Sequence, residues 1–467
     1  MIARALISFA IPVFSGFFLV DALLKKQARG FFGILFEACL AVGLGFGISS
    51  ALFFIWLVVL GSSGAGFASF AVLELVFLII LWAAWRSVMK NTTRPLSAGR
   101  EQRAKFDIIS LVFCGILILS ITDIVILSVA NPHGHWDSWA IWNLRARFIF
   151  RAGQYWTDAF SSILKWSHSD YPLLLPLISA RCWKYLGHES LIVPISISIF
   201  FCIATVGIMV SSLSVFCGKK RASLAGLTLL GTPFFIIHGA SQYADIPLGF
   251  YILAALILFC MYDRYNKNTG LLFLAGISAG LAAWTKNEGL LFFAAIIIGQ
   301  FFLIVPRSGW GQYIRRMWPF FKGALPILSI LAYFKLRLAP PGDVLIFEQL
   351  RAVSAGILDY QKWWLNLYEF YKASINFGQW AFPFMPILII SIILFGIKTN
   401  MPDRLSIIGS AVILSIILTG SYFIFLITPD YKMWQLMTLS LNRLFLQLWP
   451  SVVFLFFQAI ALPKKIA

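Results

Sequence analysis

Four short stretches carry nearly all the chemistry in this chain: "HWDSW" (135–139), "WSHSDYPLLLP" (166–176), "SQYADIPLGFY" (241–251) and "AAWTKNEGLLFF" (282–293). Each sets carboxylates, imidazoles or cations beside long apolar runs, where charge is costly unless paired or used. In the first, Asp137 opens a helical pattern. It can cap that helix by accepting an orphan backbone N–H, or act as a general base or metal ligand beside an acceptor hydroxyl. His133 and His135 stand close by but lack any further metal spacing. Asp245 two residues before Pro247 also marks a helix start, though Gln242, Tyr243 and His238 make its turn more polar than a cap requires. His168 and Asp170 precede another proline-marked start, and Lys286, Asn287 and Glu288 break an apolar stretch outright. Read blandly, that break is a turn with a Lys–Glu pair; read functionally, its lysine binds a lipid phosphate as a point charge. Near the C-terminus, "TPDYKMWQLMTLSLNRLFLQLWP" (428–450) adds Lys432, Asn442 and Arg443, and Arg443 within an apolar run needs an anionic partner.

The elements that position these residues are membrane spans. The 467 residues are 60% hydrophobic and 12% charged, with a mean hydropathy of +0.86, where soluble chains carry about 25% charge. Thirteen apolar runs serve as candidate transmembrane helices: 4–24, 33–60, 67–85, 106–130, 190–216, 222–238, 244–262, 270–284, 288–305, 319–338, 380–397, 405–427 and 437–461. The expected fold is an all-α polytopic integral membrane protein. The first run has one leading arginine, no small-residue cleavage site and its heavier basic cluster behind it, so it reads as a span with an outer N-terminus rather than a signal peptide.

The formal charge of +18 resides mostly in short Lys/Arg clusters between runs, such as Lys25–Arg29, Lys219–Arg221, Arg264 with Lys267, and Lys398 with Arg404. With one crossing per run all the clusters fall on one face, the cytoplasmic one. They speak for topology and lipid contact rather than nucleic acid. Cys39, Cys114, Cys182, Cys202, Cys217 and Cys260 are scattered without CxxC or Cys/His spacing, so neither a disulfide frame nor a cysteine metal site is expected.

The opposite, outer face gathers segment 131–189, the turns 241–247 and 284–289, the loop 339–379 and the stretch 428–435. It therefore holds Asp137, Asp170, Asp245 and Glu288, with all five histidines in or beside these segments, a one-sided convergence suited to a site. Within 131–189, Ile141, Leu144 and Phe148 share one helical face and Asn143, Arg147 and Arg151 another. Trp136, Trp139, Trp142 and Trp156 read as interface residues, which predicts helices on the outer leaflet with their arginines toward lipid headgroups. "YPLLLPLISARCWKYL" (171–186) reads as interfacial too, since a crossing there would flip every later cluster. The aromatic, amphipathic "FEQLRAVSAGILDYQKWWLNLYEFY" (347–371) is fit to lie on the membrane or close over a site. Asp21 lies near Lys25 and Lys26, while Glu37, Glu74 and Asp123 can pair internally or mark an ion path.

In order and sidedness these stretches resemble the GT-C superfamily of membrane glycosyltransferases, in particular bacterial aminoarabinose-transferase-like and protein-mannosyltransferase-like enzymes. "HWDSW" resembles the acidic motif of the first outer loop, and "HSDYPLLLPL" the His-Pro-x-x-Tyr-Pro element. "YADIPLGFY", "AAWTKNEG" and the 428–450 stretch complete the pattern. Asp137 stands alone where many members carry two adjacent acids, and Asn442 and Gln435 stand where related sequences tend to show Asp and His.

The resemblance implies a GT-C fold divided into a three-span N-terminal module (1–105), a catalytic core (106–305, including 131–189) and a C-terminal region (306–467, including 339–379). It implies inverting transfer of a sugar from a polyprenyl-phosphate donor to a lipid, glycan or protein acceptor, on the periplasmic face of the cytoplasmic (inner) membrane. Asp137 is then the base. Arg147, His168, Asp170, Tyr243, Asp245, Lys286, Glu288, Lys432 and Arg443 are the expected substrate-binding residues. The candidate cofactor is a divalent metal on Asp137, Asp245 and His168. The competing class is a transporter or lipid-linked-sugar flippase, which would place its charges at midplane within inverted repeats; no repeat is visible. A non-catalytic scaffold is the third reading, favoured only if the outer-face charges prove dispensable.

Overall fold

The structure, a computed structural model, describes residues 2–24, 30–64, 66–90, 107–265, 267–340, 358–398, 401–428 and 430–461. These residues are almost wholly helical, as a chain in lipid must be if each backbone N–H and C=O is to be satisfied within its own segment. An antiparallel bridge between Ile397 and Ile460 is the one piece of β-pairing among them. The helices are α1 Ile2–Leu24, α2 Phe31–Leu60, α3 Phe67–Lys90, α4 Ile108–Ala130, α5 Asn143–Arg151, α6 Leu174–Leu186, α7 Ile192–Cys217 and α8 Lys219–Leu230. They continue with α9 Pro233–Ala240, α10 Asp245–Arg264, α11 Thr269–Thr285, α12 Asn287–Arg337, α13 Tyr360–Asn376, α14 Phe384–Phe395, α15 Arg404–Ile427 and α16 Asp430–Ala459.

Among the described residues nine helices are long and apolar enough to cross a membrane, or eleven if each of two sharply bent pairs is one span. Helix α10 forms the axis. It is buried over almost its whole length against α2, α7, α11, α15 and α16. The apolar flanks of α3 and α4 stay mostly exposed, as lipid-facing helices should.

Four apolar runs fold differently from the expectation. The run 222–238 is α8 and α9 bent by 67°, because Pro233 has no N–H to continue the helix and instead starts a new one. The run 380–397 yields only the 12-residue α14, bent by 96° from the helical segment that includes α13. At 1.5 Å per residue it reaches ~18 Å, short of the ~30 Å hydrocarbon core. The runs 288–305 and 319–338 are the arms of α12, which breaks at Gly309 (φ 76°). Lys335 near its end donates to Asn287 Oδ1 at its start over 2.8 Å, so the two arms fold back on each other. Thirteen spans result only if these arms, the short α11 and both bent pairs are all counted.

The first three helices are tied to the rest by a buried ion pair. Arg181 of α6 grips Glu74 of α3 through Nε (2.9 Å) and Nη2 (2.7 Å), so Glu74 pairs internally. Asp21 accepts the Trp85 indole N–H at 2.6 Å. Segment 131–189 is a chain of short helices, but not all of it lies at an interface. Trp136 and Trp139 are exposed, whereas Trp142 and Trp156 are buried, the latter edge-on to Phe54 and Phe160. Its arginines also differ from expectation: Arg145 is buried, and Arg147 and Arg151 both turn to Glu189, at 3.4 and 2.5 Å. Part of the amphipathic stretch 347–371 lies in α13, which Asp359 caps through the N–H groups of Gln361 and Lys362. Residues 347–357 lie outside the described residues.

Candidate functional site

Two turns built from distant sequence meet at one end of α10. Gly134 (φ 70°) lets the turn after α4 press onto the turn before α10: a side chain there would meet Ser138 Oγ at 2.4 Å and Ser241 O at 2.6 Å. His135 N donates to Ser241 O (3.3 Å), Gln242 Nε2 to Pro132 O (3.1 Å) and Asn143 Nδ2 to Gln242 Oε1 (3.0 Å). These bonds set Asp137 beside Tyr243 and Asp245. Lys286 arrives from another direction, as the single extended residue between α11 and α12 (φ −159°, ψ 158°). That turn is tight because Gly289 packs on α11; a Cβ there would lie 1.9 Å from Ala282 O. Arg443 and Gln447 come from α16, one turn apart and therefore on one face.

These side chains form a charge network around Asp245. Its Oδ1 accepts from Gln447 Nε2 (2.6 Å) and Lys286 Nζ (3.2 Å), and its Oδ2 from Arg443 Nε (2.8 Å). Arg443 extends Nη1 to Asp137 Oδ2 at 2.7 Å, and its guanidinium lies 4.6 Å above the Tyr243 ring. Lys286 also meets Glu288 Oε1 at 2.7 Å. Neither aspartate uses its side chain to cap a helix, so the bland reading of both is set aside. Side-chain exposure rises from Asp245 (0%) through Lys286 (6%), Arg443 (13%) and Asp137 (16%) to Glu288 (30%). Asp245 is thus a sealed anchor, while Asp137 and Glu288 border the accessible side. Burial alone would pull the Lys286 ammonium down, but Asp245 and Glu288 outweigh it and hold the pKa above the ordinary lysine value.

A second cluster lies alongside. Asp170 Oδ2 accepts from Asn287 Nδ2 (3.0 Å), and Lys335 Nζ donates to Asp170 O (2.5 Å). Arg145 Nη1 holds Tyr171 O at 2.7 Å, and burial pulls the Arg145 pKa down to about 10 despite nearby Asp170. Tyr171 joins the clusters: burial, with Glu288 close by, pushes its phenol above the ordinary value. His168 sits in left-handed backbone (φ 49°) with its ring stacked on Tyr171 at 5.0 Å, and Gln242 is likewise left-handed (φ 58°). Such conformations cost ~1–3 kcal/mol for non-glycine residues and gather where a structure holds a working geometry.

Asp137, Tyr243, Asp245, Lys286, Glu288 and Arg443 are therefore brought together, with Asp170 and His168 adjacent. Arg147 is not among them; it pairs with Glu189 and stands 3.5 Å from His133 Nδ1. The side chain of Lys432 lies outside the described residues. Gln447, Lys335, Asn287, Tyr171 and Arg145 belong to the clusters without having been singled out as binding residues. Of these, Asn287, Tyr171 and Gln447 lie within stretches that the sequence marked and Arg145 within the outer segment 131–189; Lys335 lies in none of them.

Among the described residues, no group of three or more His, Cys, Asp or Glu side chains is placed to hold a metal ion. Arg443 already bridges Asp137 and Asp245, and the His168 ring lies on Tyr171, so in this arrangement the expected donor set does not fit a metal. Two buried polar atoms of the main network, Arg443 Nη2 and Glu288 Oε2, have no partner among the described residues. An orphaned donor and acceptor facing a polar site are what an absent polar ligand would satisfy.

Residues 170–334, about a third of the chain, match the family model described as dolichyl-phosphate-mannose-protein mannosyltransferase. No curated protein and no solved structure gives a significant match. The matched stretch takes in Asp170, Tyr243, Asp245, Lys286 and Glu288, and it supports a GT-C-like membrane glycosyltransferase.

Proposed function

We propose that the chain moves a sugar from a polyprenyl-phosphate donor to a lipid, glycan or protein acceptor, with inversion. The observation that carries this is the guanidinium of Arg443 bridging Asp137 and Asp245 while keeping a buried donor unused. Asp245, sealed from solvent, holds Arg443 and Lys286 in place. Asp137, at the accessible edge, takes the proton of the acceptor hydroxyl as that oxygen attacks the anomeric carbon. The bond from that carbon to the phosphate oxygen breaks, and polyprenyl phosphate leaves with the electron pair. A phosphate leaving group needs its growing charge stabilised more than it needs a proton. Arg443, with its fork, and Lys286, as a point charge, supply that positive field.

Lys219, Arg221, Arg264, Arg316, Lys398 and Arg404 gather at the other end of the bundle. By the positive-inside rule that end is cytoplasmic, and the site opens to the periplasmic face of the cytoplasmic membrane. Residues 106–305, with Arg443 and Gln447 from the C-terminal region, would form the catalytic core, and 1–105 an accessory module. The test is transfer from purified polyprenyl-phosphate sugars in detergent, with the acceptor found by mass spectrometry of envelope glycans in cells with and without the protein. Transfer in detergent supports the reading. Activity that appears only in sealed vesicles, as vectorial movement of the lipid-linked sugar, replaces it with transport.

A further inference from the structure

The end of α10 opposite Asp245 carries a second cluster that sugar transfer does not use. Cys217 closes α7, Arg221 lies in the first turn of α8, Arg264 closes α10, and Lys398 follows α14. The backbone there is pinned by the Ile397–Ile460 bridge: Lys398 N donates to Ala459 O (2.9 Å) and Ala461 N to Gly396 O (3.0 Å). The bridge sets Lys398 Nζ 4.0 Å from Cys217 Sγ. Arg221 Nη1 reaches Ile460 O and Arg264 Nη2 reaches Phe216 O, each at 3.0 Å. Three cations thus close on one thiol.

Their counter-charge falls short. Asp403 is the nearest carboxylate, 3.8 Å from Arg264 Nη1; its Oδ2 already accepts from Gln458 Nε2 and its Oδ1 has no partner among the described residues, so one carboxylate faces three cations. Asp263, next along α10, is taken by Arg316 at 2.5 and 3.1 Å and by Ser406 Oγ. Arg221 is 4% exposed, and its Nε has no partner among the described residues. A buried guanidinium with an idle donor beside two further cations is costly unless an anion completes it. Burial together with Arg221 and Arg264 pulls the Lys398 pKa below the ordinary lysine value, a penalty that an anion between them would relieve. The positive-inside rule accounts for exposed cations at this end; it does not account for one that is buried with a free donor.

The surroundings indicate what the anion is attached to. Ile393, Leu394, Phe395 and Ile397 on the flank of the cluster are exposed and apolar, so the way in lies along hydrocarbon. We propose that Arg221, Arg264 and Lys398 bind the phosphate headgroup of an anionic membrane lipid, with its acyl chains lying against α14. The forked guanidinium suits phosphate oxygens, and Lys398 adds a point charge.

Native mass spectrometry of the full chain in detergent, titrated with phosphatidylglycerol or phosphatidylcholine, tests this. Wild type should retain phosphatidylglycerol preferentially. The half-exposed Lys398 is replaceable without unfolding, and Lys398→Gln should weaken that retention about fivefold, as loss of one juxtamembrane cation predicts. Arg86→Gln, on α3, controls for the general attraction of basic side chains and should change nothing. Equal retention by wild type and Lys398→Gln, or no preference for the anionic lipid, overturns the proposal. Displacement of the lipid by inorganic phosphate alone, lost in Lys398→Gln, would make this a free-phosphate site and overturn the lipid assignment.

Discussion

Two of the carboxylate–guanidinium pairs in this bundle, Glu74–Arg181 and Asp245–Arg443, differ in what is left over. Around Glu74 nothing is, among the described residues. Its oxygens accept Arg181 Nε and Nη2, Ser49 Oγ at 2.5 Å and Tyr185 Oη at 2.7 Å, and Arg181 Nη1 donates to Ser8 O at 2.7 Å. Both side chains are 1% exposed. Around Asp245 the anchor is saturated as well, but the cations that hold it also reach outward to Asp137 and Glu288, and two buried polar atoms stay idle. A closed pair joins helices; an open one presents charge to something else. Burial of charge alone, common to both, says nothing about function.

The sharpest test of the contrast is to remove one carboxylate from each region. Asp137→Asn keeps size and hydrogen-bonding capacity and deletes the proposed base. Sugar transfer should fall by about 10²–10⁴-fold, the usual worth of general base catalysis, while the melting temperature stays close to wild type. Transfer retained within a few-fold by a normally folded Asp137→Asn would remove Asp137 from the mechanism.

The Glu74 pair should respond in the opposite way. Arg181→Met leaves Glu74 as an uncompensated buried charge and should cost about 3–5 kcal/mol. Thermal unfolding in detergent would show this as a large drop in melting temperature, with the activity of the surviving folded fraction near normal. Adding Glu74→Met removes the stranded charge and should recover most of the loss. A double variant no more stable than the single one would mean that Glu74 is held by more than this pair.

The two regions were also unequally legible in sequence. Asp137, Asp245, Lys286, Glu288 and Arg443 stood out because charge at the edge of an apolar run is expensive and therefore conspicuous. Gln447 and Lys335 did not, because a neutral amide raises no alarm and because Lys335 reaches Asp170 only once α12 folds back at Gly309. Arg145 lay in a basic-looking amphipathic turn whose buried face depends on how 131–189 packs. Trp142 and Trp156 illustrate the same limit: an indole at a membrane interface and one in a core have identical sequence signatures. The broken pair α8–α9 was readable from Gly231 and Pro233 (two helix breakers within three residues), but a run of hydropathy averages over them.

A smaller effect separates charge from geometry in the open network. Arg443→Lys keeps the cation but loses the fork, so one ammonium cannot hold Asp137 and Asp245 as Nη1 and Nε do. Loss of one charge-assisted hydrogen bond, worth about 1.5–3 kcal/mol, predicts a roughly ten- to hundredfold fall in kcat/KM for the lipid-linked donor. Unchanged kcat/KM would mean that only the charge of Arg443 matters.

The smallest effect is expected at the rim. Arg147 and Arg151 share Glu189, with the Arg151 side chain 65% exposed. Exposed pairs of this kind contribute below about 1 kcal/mol and are screened by salt. Arg151→Gln should therefore leave both melting temperature and transfer unchanged within error. Arg147→Gln is the finer probe, because the sequence marks Arg147 as a headgroup contact while the fold turns it toward Glu189. If the pair with Glu189 is its whole role, the donor KM in Arg147→Gln stays within twofold of wild type at low and high salt. A KM that rises several-fold at low salt, and less at high salt, would show the open region extending past Asp137 to the edge of the bundle.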